Sequence, residues 1–579
     1  MLNNISPVEH LPTKWRLRTA VEVEVQRLAA ELDLHPITAR ILTGRGFSDP
    51  AIAARFLSPS LDEIPDPFSI SGMEEAVSRL AAAVALGERI AVFGDYDVDG
   101  IAGTALLAEF LEALGSPVLT ALPHRQESGY GLSIEAVDAF AAQGARLIVT
   151  VDNGTRALDA AERARELGMD LIITDHHDPD QKLPPALAIV NPKLADKGSS
   201  LSNLCGCGVA FMLAAGLRRR LRETGLMREP VPNLKRMLDL VALGTIADVM
   251  PLVGLNRVLA SFGLAELASG HRAGVRALLE SSCTSPSELS ASAIAFRLAP
   301  RINAAGRLGD PHDALALLRT SSDDEARAIA SKLDAANRER QRIEERILSE
   351  AEEIIGSLPT TATGSAVVVH SDDWHPGVIG IVAAKLAERM GRPAVVISSG
   401  SRPARGSARS GGAIDLVEVF SLCADCLVRF GGHPMAAGLS IEPGRIDEFS
   451  RRFSEACSLK AGPSTAAVLA IDAIAEPSDI TERIVKETLR MRPFGVGNPE
   501  PVLALSFAGI IERRIVGERH LKLKLKAKGK HFNAIGFNMA ERLPPNTPAA
   551  SIAFSPQFNT WNGITSIQLN IRDIVPLPS

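Results

Sequence analysis

Between about residues 89 and 248, short apolar runs alternate with longer Ala- and Leu-rich stretches. Ile90–Phe93, Leu147–Val151, 171–174 and 187–190 are continuous runs of strand length, each followed at once by Gly, Asp or Asn. Residues 101–114 and 157–167 carry helical spacing between them. Helices between buried strands require crossover connections, so this segment is expected to build a mainly parallel sheet.

The pattern changes along the chain. Residues 1–70 read as a mostly helical extension. Residues 323–356 hold many charges and no Pro, and predict one long connecting helix closed by Gly356. A second α/β unit is expected over 363–441, with strands at 366–370 and 393–398 and a helix over 379–389. Beyond Ser464, strand-like runs separated by Gly, Pro and Asn predict a small barrel or sandwich. Leu521, Leu523, Leu525 and Ala527 there alternate with Lys522, Lys524, Lys526 and Lys528. A strand sends the two sets to opposite faces and spaces the ammonium groups roughly 6.6–6.8 Å apart, which suits an extended phosphate backbone. A Lys-rich edge strand kept from aggregating has the same pattern. Gly529 is expected to turn the chain and take Lys530 out of the row. Phe532, Phe537 and Trp561 are candidate base-stacking faces or core.

A length of 579 residues suggests about three or four domains. The chain is 46% hydrophobic and 22% charged with a net charge of -6, which excludes a uniformly basic coat but not a local basic groove. Cys423 and Cys426 have C-x-x-C spacing, yet no second pair completes a zinc site, so the six cysteines are expected to be free thiols in a reducing compartment. The start of the chain lacks a signal peptide's apolar core. No run reaches the roughly 18 apolar residues of a membrane span. A cytoplasmic protein with no membrane contact is the expectation.

The candidate chemistry lies at the strand ends. Ile90–Phe93 leads into Asp95, Asp97 and Asp99, Leu147–Val151 into Asp152-Asn153-Gly154, and 171–174 into Asp175-His176-His177-Asp178. Asp248 follows another apolar stretch. One Asp after a strand is most simply a helix cap or turn residue. Three successive strands ending in acid are different, because the carboxyl ends of a parallel sheet line one crevice. Carboxylates gathered there repel unless cations separate them, and oxygen ligands with an imidazole suit a pair of Mn²⁺ or Mg²⁺ ions. Asp152 is the candidate bridge between them. Arg301, Asn303 and Arg307, read as a loop, suit a polyanion. Arg409 suits a phosphate clamp, and Gly411-Gly412 and Gly431-Gly432-His433 are places for close backbone approach to phosphate.

These motifs together resemble the DHH phosphoesterase superfamily, and within it the RecJ family of single-strand-specific exonucleases. The resemblance rests on residues 94–100, Asp152-Asn153-Gly154, Asp175-His176-His177, Asp248, 301–307, 374–380, 431–434 and 493–499, and spans the chain from about residue 70. It implies a parallel-sheet DHH domain (71–322), a connecting helix (323–358), a second α/β DHH-associated domain (359–462) and a C-terminal OB-like β-barrel (463–579), after the 1–70 extension. It implies Asp97, Asp99, Asp152, His176 and Asp248 as metal ligands, with Asp95 completing a shell. His177 would touch the scissile phosphate, and Asp175 would orient a neighbouring imidazole. Arg301, Asn303, Arg307, Arg409, Ser410, Gly432, His433, Lys522, Lys524 and Lys526 would meet the strand. The implied activity is exonucleolytic hydrolysis of single-stranded DNA, 5′→3′ to mononucleotides, in repair and recombination, by a monomer working with a single-strand-binding protein and a helicase. Two alternatives stay open: a phosphodiesterase of short oligoribonucleotides or cyclic dinucleotides, and a non-catalytic strand-binding relative. Ala408 and Phe430 depart from the family pattern, at positions where Gly and His are usual.

Overall fold

The computed structural model describes residues 12, 14–124, 131–194, 200–227, 231–357, 364–412, 414–460, 468–561 and 563–577. It divides into two compact units: residues 66–250 with 262–464, and residues 1–65 with 251–261 and 465–579.

The larger unit contains two α/β lobes. The first is built on a five-stranded, wholly parallel sheet in the order Val118–Ala121, Ile90–Phe93, Leu147–Val151, Asp170–Thr174, Ala188–Val190. The chain runs from Ile90–Phe93 to one side and then returns to the other, so the order reverses between Ile90–Phe93 and Leu147–Val151. Ligands bind at such a reversal, beyond the carboxyl ends of the strands. The central strands are buried throughout because both faces are covered. The helix Val98–Ala113 is equally enclosed, packing against Gly206–Glu223 and Leu238–Ala247.

The Asp323–Ser357 helix runs through Gly356 rather than stopping there, and at 35 residues it is about 52 Å long. Its buried positions, from Ala326 through Ala330, Leu333, Asn337, Arg340 and Glu344 to Ala351, recur every three or four residues and form one face. The second lobe has a five-stranded sheet in the order Arg429–His433, Ala436–Ile441, Ala404–Arg409, Ala394–Ser398, Val367–Ser371. Only its last two strands are parallel.

The smaller unit holds a closed barrel. Leu503–Val516, His520–Ala527, Lys530–Gly536, Ile564–Pro576 and Ala549–Trp561 pair in turn, and the last pairs back to the first. The N-terminal helices are not a separate extension. Val25, Leu28, Ile41, Leu42 and Phe56 share one core with Leu521, Leu523, Leu525 and Ile552 of the barrel. Trp15–Leu17 adds a strand beside Leu469–Ile471. Arg257 fastens this unit, donating to the carbonyls of Phe56, Arg490 and Met491 with its guanidinium over the Phe56 ring. All six cysteines are free thiols. Among the described residues no helix is long and apolar enough to cross a membrane.

Candidate metal centre

The first acidic loop folds as the start of a helix. Asp97 caps Val98–Ala113, its Oδ1 accepting the N–H groups of Asp99 (3.0 Å) and Gly100 (3.2 Å). The simple capping role is therefore real, and Asp95, Asp97 and Asp152 also each place an oxygen within 4.8 Å of the others. Asp99 lies two residues on, in the first turn of the same helix, and is buried. Its two oxygens accept N–H from Gly206 (2.6 Å) and Cys207 (2.9 Å), the first residues of the Gly206–Glu223 helix. A helix N-terminus carries partial positive charge and holds an anion there.

Asp152 sits at the carboxyl end of the central strand with φ of 65°, a left-handed conformation uncommon for a residue with a side chain. It is packed so closely that a Cβ on Gly206 would lie 2.4 Å from its own Cβ. His176 joins these groups. Its Nε2 is 3.0 Å from Asp152 Oδ1, 3.6 Å from Asp248 Oδ2 and 3.8 Å from Asp99 Oδ2. Asp248 ends the Leu238–Ala247 helix, where carbonyl ends make a carboxylate unfavourable unless a cation is near.

The electrostatics agree with a cation site. Burial pushes Asp97, Asp99 and Asp152 above the ordinary carboxylate range, and neighbouring acids add to this at Asp97 and Asp152. Burial and the charges of Asp99 and Asp97 push Asp248 up to about 8. Burial, then the charge of His177, lower His176 to about 3, leaving it the neutral form that ligates. Both its ring nitrogens are buried without a hydrogen-bond partner. A neutral imidazole ringed by buried carboxylates that repel one another fits divalent cations, and the oxygen-rich set suits Mn²⁺ or Mg²⁺. Asp152 belongs to the group with Asp95 and Asp97 and also to one with His176 and His177, as a bridging ligand must.

His177 borders this group, its Nδ1 3.9 Å from Asp152 Oδ1, but that nitrogen is engaged by a different carboxylate. Its Nδ1 is 2.7 Å from Asp175 Oδ1, and Asp175 Oδ2 accepts the Thr155 N–H at 3.0 Å. Burial works to lower the His177 pKa, but the Asp175 bond and the charges of Asp175, Asp99 and Asp97 raise it overall. Burial opposes the shift at Asp175, yet the bond to His177 takes its carboxyl well below the usual range. His177 opens into a cleft of about 900 Å³ lined also by Tyr96, Arg156, Gly431, Gly432 and His433. Burial and the charge of His177 hold His433 below the usual imidazole range.

Several expected strand contacts stand elsewhere. Residues 301–307 belong to the Ala299–Leu308 helix, not a loop. Arg301 pairs with Asp334 of the long helix at 2.9 Å and braces the two helices. The Asn303 side-chain oxygen accepts the Val98 N–H at 3.1 Å, fixing the acidic loop from behind. A Cβ on Gly306 would lie 2.7 Å from the Tyr96 carbonyl, so only glycine lets this helix approach that loop. Arg307 donates to the Gly377 carbonyl at 3.0 Å. The Gly-Ser-Ala-Arg segment is part of the Ala404–Arg409 strand, and Arg409 donates to Ser407 Oγ (3.0 Å) and the Ala408 carbonyl (2.9 Å). Ser410 is buried and its hydroxyl fastens a turn through the Gly412 and Ile414 carbonyls, which leaves it no phosphate to meet. Gly432 and His433 lie in the Arg429–His433 strand.

The lysine row is real but shorter than its pattern. Lys522, Lys524 and Lys526 are exposed on one face with Leu521, Leu523 and Leu525 buried behind. Lys528 and Gly529 form the hairpin turn, with φ of 42° and 82°. Lys524 is paired to Glu512 at 3.0 Å. Trp561, 74% exposed, borders a groove of about 480 Å³ with Lys522 and Lys524, Phe537 is half exposed, and Phe532 is core.

Residues 89–245 match the DHH family, N-terminal domain, residues 363–459 the DHHA1 domain, and residues 471–573 the RecJ OB domain. The chain is 37% identical to the single-stranded-DNA-specific exonuclease RecJ of Escherichia coli (strain K12), over 97% of this chain and 99% of that one. It is 35% identical to the protein of the same name from Bacillus subtilis (strain 168), over 97% of this chain and 70% of that one. The crystal structure of RecJ in complex with Mn²⁺ from Thermus thermophilus superposes with a TM-score of 0.83 at 32% identity, covering 98% of this chain and 80% of that one.

Proposed function

This chain belongs to the RecJ family, and from that premise we propose how its site works. It is a metal-dependent exonuclease that hydrolyses phosphodiester bonds of single-stranded DNA. The observation that carries this reading is the convergence of Asp97, Asp99, Asp152, His176 and Asp248, from separate stretches of chain, around one point at the sheet edge.

In the proposed scheme Asp95, Asp97, Asp99, Asp152, His176 and Asp248 would hold two divalent ions, with Asp152 the ligand common to both groups. When bound, Mn²⁺ or Mg²⁺ supplies neutralisation of the phosphate and a water acidic enough to deprotonate near neutral pH. Asp175 accepts the His177 Nδ1–H and favours the charged ring, so that the imidazolium would keep an Nε2–H as well and donate it to the phosphate. Arg409, Gly432 and His433 contact the strand from the second lobe, and Lys522, Lys524 and Lys526 bind its backbone. We assign 5′→3′ polarity, release of mononucleotides and a role in DNA repair and recombination. We also propose that the protein is a cytoplasmic monomer that receives strands from a single-strand-binding protein and a helicase.

End-labelled single- and double-stranded DNA with Mn²⁺, each terminus blocked in turn, tests this. Degradation of the single strand should stop only when the 5′ end is blocked. Arrest by a 3′ block would reverse the polarity, and rapid cleavage of dinucleotides alone would favour a short-oligonucleotide phosphodiesterase.

A further inference from the structure

His124, Asp310 and His312 form a second group of ligand-type side chains outside the acidic centre. His124 follows the carboxyl end of the edge strand Val118–Ala121, whereas Asp310 and His312 open the helix Pro311–Arg319. One donor atom from each residue lies within 4.8 Å of the other two. The imidazole centroids are 5.9 Å apart. Asp310 is held in place: its Oδ1 accepts the His312 N–H at 2.9 Å as the helix cap and lies 2.8 Å from His312 Nδ1. Both imidazoles are half-buried and Asp310 is exposed. The ammonium of Lys332 is engaged by Asp313 at 2.7 Å.

Two imidazoles with one carboxylate are the donor set of zinc and its borderline neighbours, in contrast to the oxygen-rich set that suits Mg²⁺ or Mn²⁺. His312 Nδ1 and Asp310 Oδ1 already face one another at 2.8 Å, so once the proton between them leaves both can reach one ion. We propose that His124, Asp310 and His312 hold one zinc-class divalent ion, which clamps the chain leaving the edge strand to the start of the Pro311–Arg319 helix. Water completes the coordination. None of these residues belongs to the catalytic centre, so the site stands independently of the exonuclease reading.

The test compares the full-length protein with His124→Gln/His312→Gln. Both are saturated with Mn²⁺, incubated with Zn²⁺, desalted and measured for zinc by mass spectrometry. Zinc that displaces manganese at the acidic centre is common to both and cancels. The unaltered protein should retain about one more zinc per chain, and zinc should raise its melting temperature more than that of the variant. His312→Gln alone keeps the backbone N–H that Asp310 caps, and it should show the same loss with unchanged Mn²⁺-dependent hydrolysis. Equal zinc content in the unaltered protein and the single variant would overturn the site.

Discussion

Replacing Asn303 with Ala removes the one side chain that accepts the Val98 N–H, at 3.1 Å, inside the loop carrying Asp97 and Asp99. A part-buried amide left without its partner costs about 1–3 kcal/mol. The loop relieves that cost by moving, and Asp97 and Asp99 move with it. Because about 1.4 kcal/mol is a factor of ten in an equilibrium constant, the ions should bind roughly 10–100-fold more weakly, the range found when residues behind a metal ligand are removed. The exonuclease rate is measured against Mn²⁺ concentration, with Mn²⁺ binding to metal-free protein followed by calorimetry. Half-saturation should rise by that factor. The maximal rate at saturating Mn²⁺ should stay within a few-fold and KM for a long single strand should hardly change. The sequence pattern alone suggests that Asn303 binds phosphate. If KM for DNA rises while the Mn²⁺ requirement stays fixed, that suggestion is right and the loop-holding role is refuted.

Asp152→Ala should reduce hydrolysis by at least roughly 10³-fold and leave strand binding, read by fluorescence anisotropy, nearly intact; residual activity near the unaltered level would remove the bridging role. Replacing Lys522, Lys524 and Lys526 together by Gln should weaken binding of long strands and flatten its salt dependence. A single-strand phosphate contact contributes about 0.7 to the log–log slope, and Lys524 already has Glu512, so the slope should fall by nearer about 1.4 than 2.1. Dinucleotide hydrolysis should not change. For pH, Asp248 has its folded pKa near 8, above the unfolded value of 3.8, so its contribution to stability is complete below about pH 4 and is lost as pH rises through about 8. His176, depressed to about 3, is neutral in both states above its ordinary value of 6.5 and adds no slope there. The metal-free protein should therefore melt at falling temperature from about pH 6.5 to 8. Mn²⁺ should flatten or reverse the trend, and Asp248→Asn should make it shallower, as followed by scanning calorimetry.

The catalytic strands are legible because each is a short apolar run that ends abruptly in Gly, acid or amide, and their bounds shift by at most a residue. The edge strand Val118–Ala121 was not identified. It is half-buried on both faces and contains Thr, so neither a continuous apolar run nor a clean alternation marks it. The Ala404–Arg409 strand escaped for a related reason: its inward residues are Ala, Gly and Ala, too small to register as hydrophobic. The candidate ligands stand out in the sequence because carboxylates and imidazoles declare their chemistry. The groups that hold them could not. Gly206 and Cys207 bind Asp99 through backbone N–H, which any residue but proline carries, and Gly206 matters for the side chain it lacks. Asn303 and Arg301 looked like anion ligands because polarity shows in a sequence, whereas the direction a side chain faces does not. The N-terminal helices likewise gave no sign that their partner would be a barrel more than 400 residues away.

Anomalous diffraction from crystals soaked in Mn²⁺ tests the central claim most directly. Two peaks about 3.5–4 Å apart are expected, with Asp152 touching both, Asp95 and Asp97 on one side, and Asp99, His176 and Asp248 on the other. Manganese bound away from Asp152, or no pair of peaks at this sheet edge, would contradict the account.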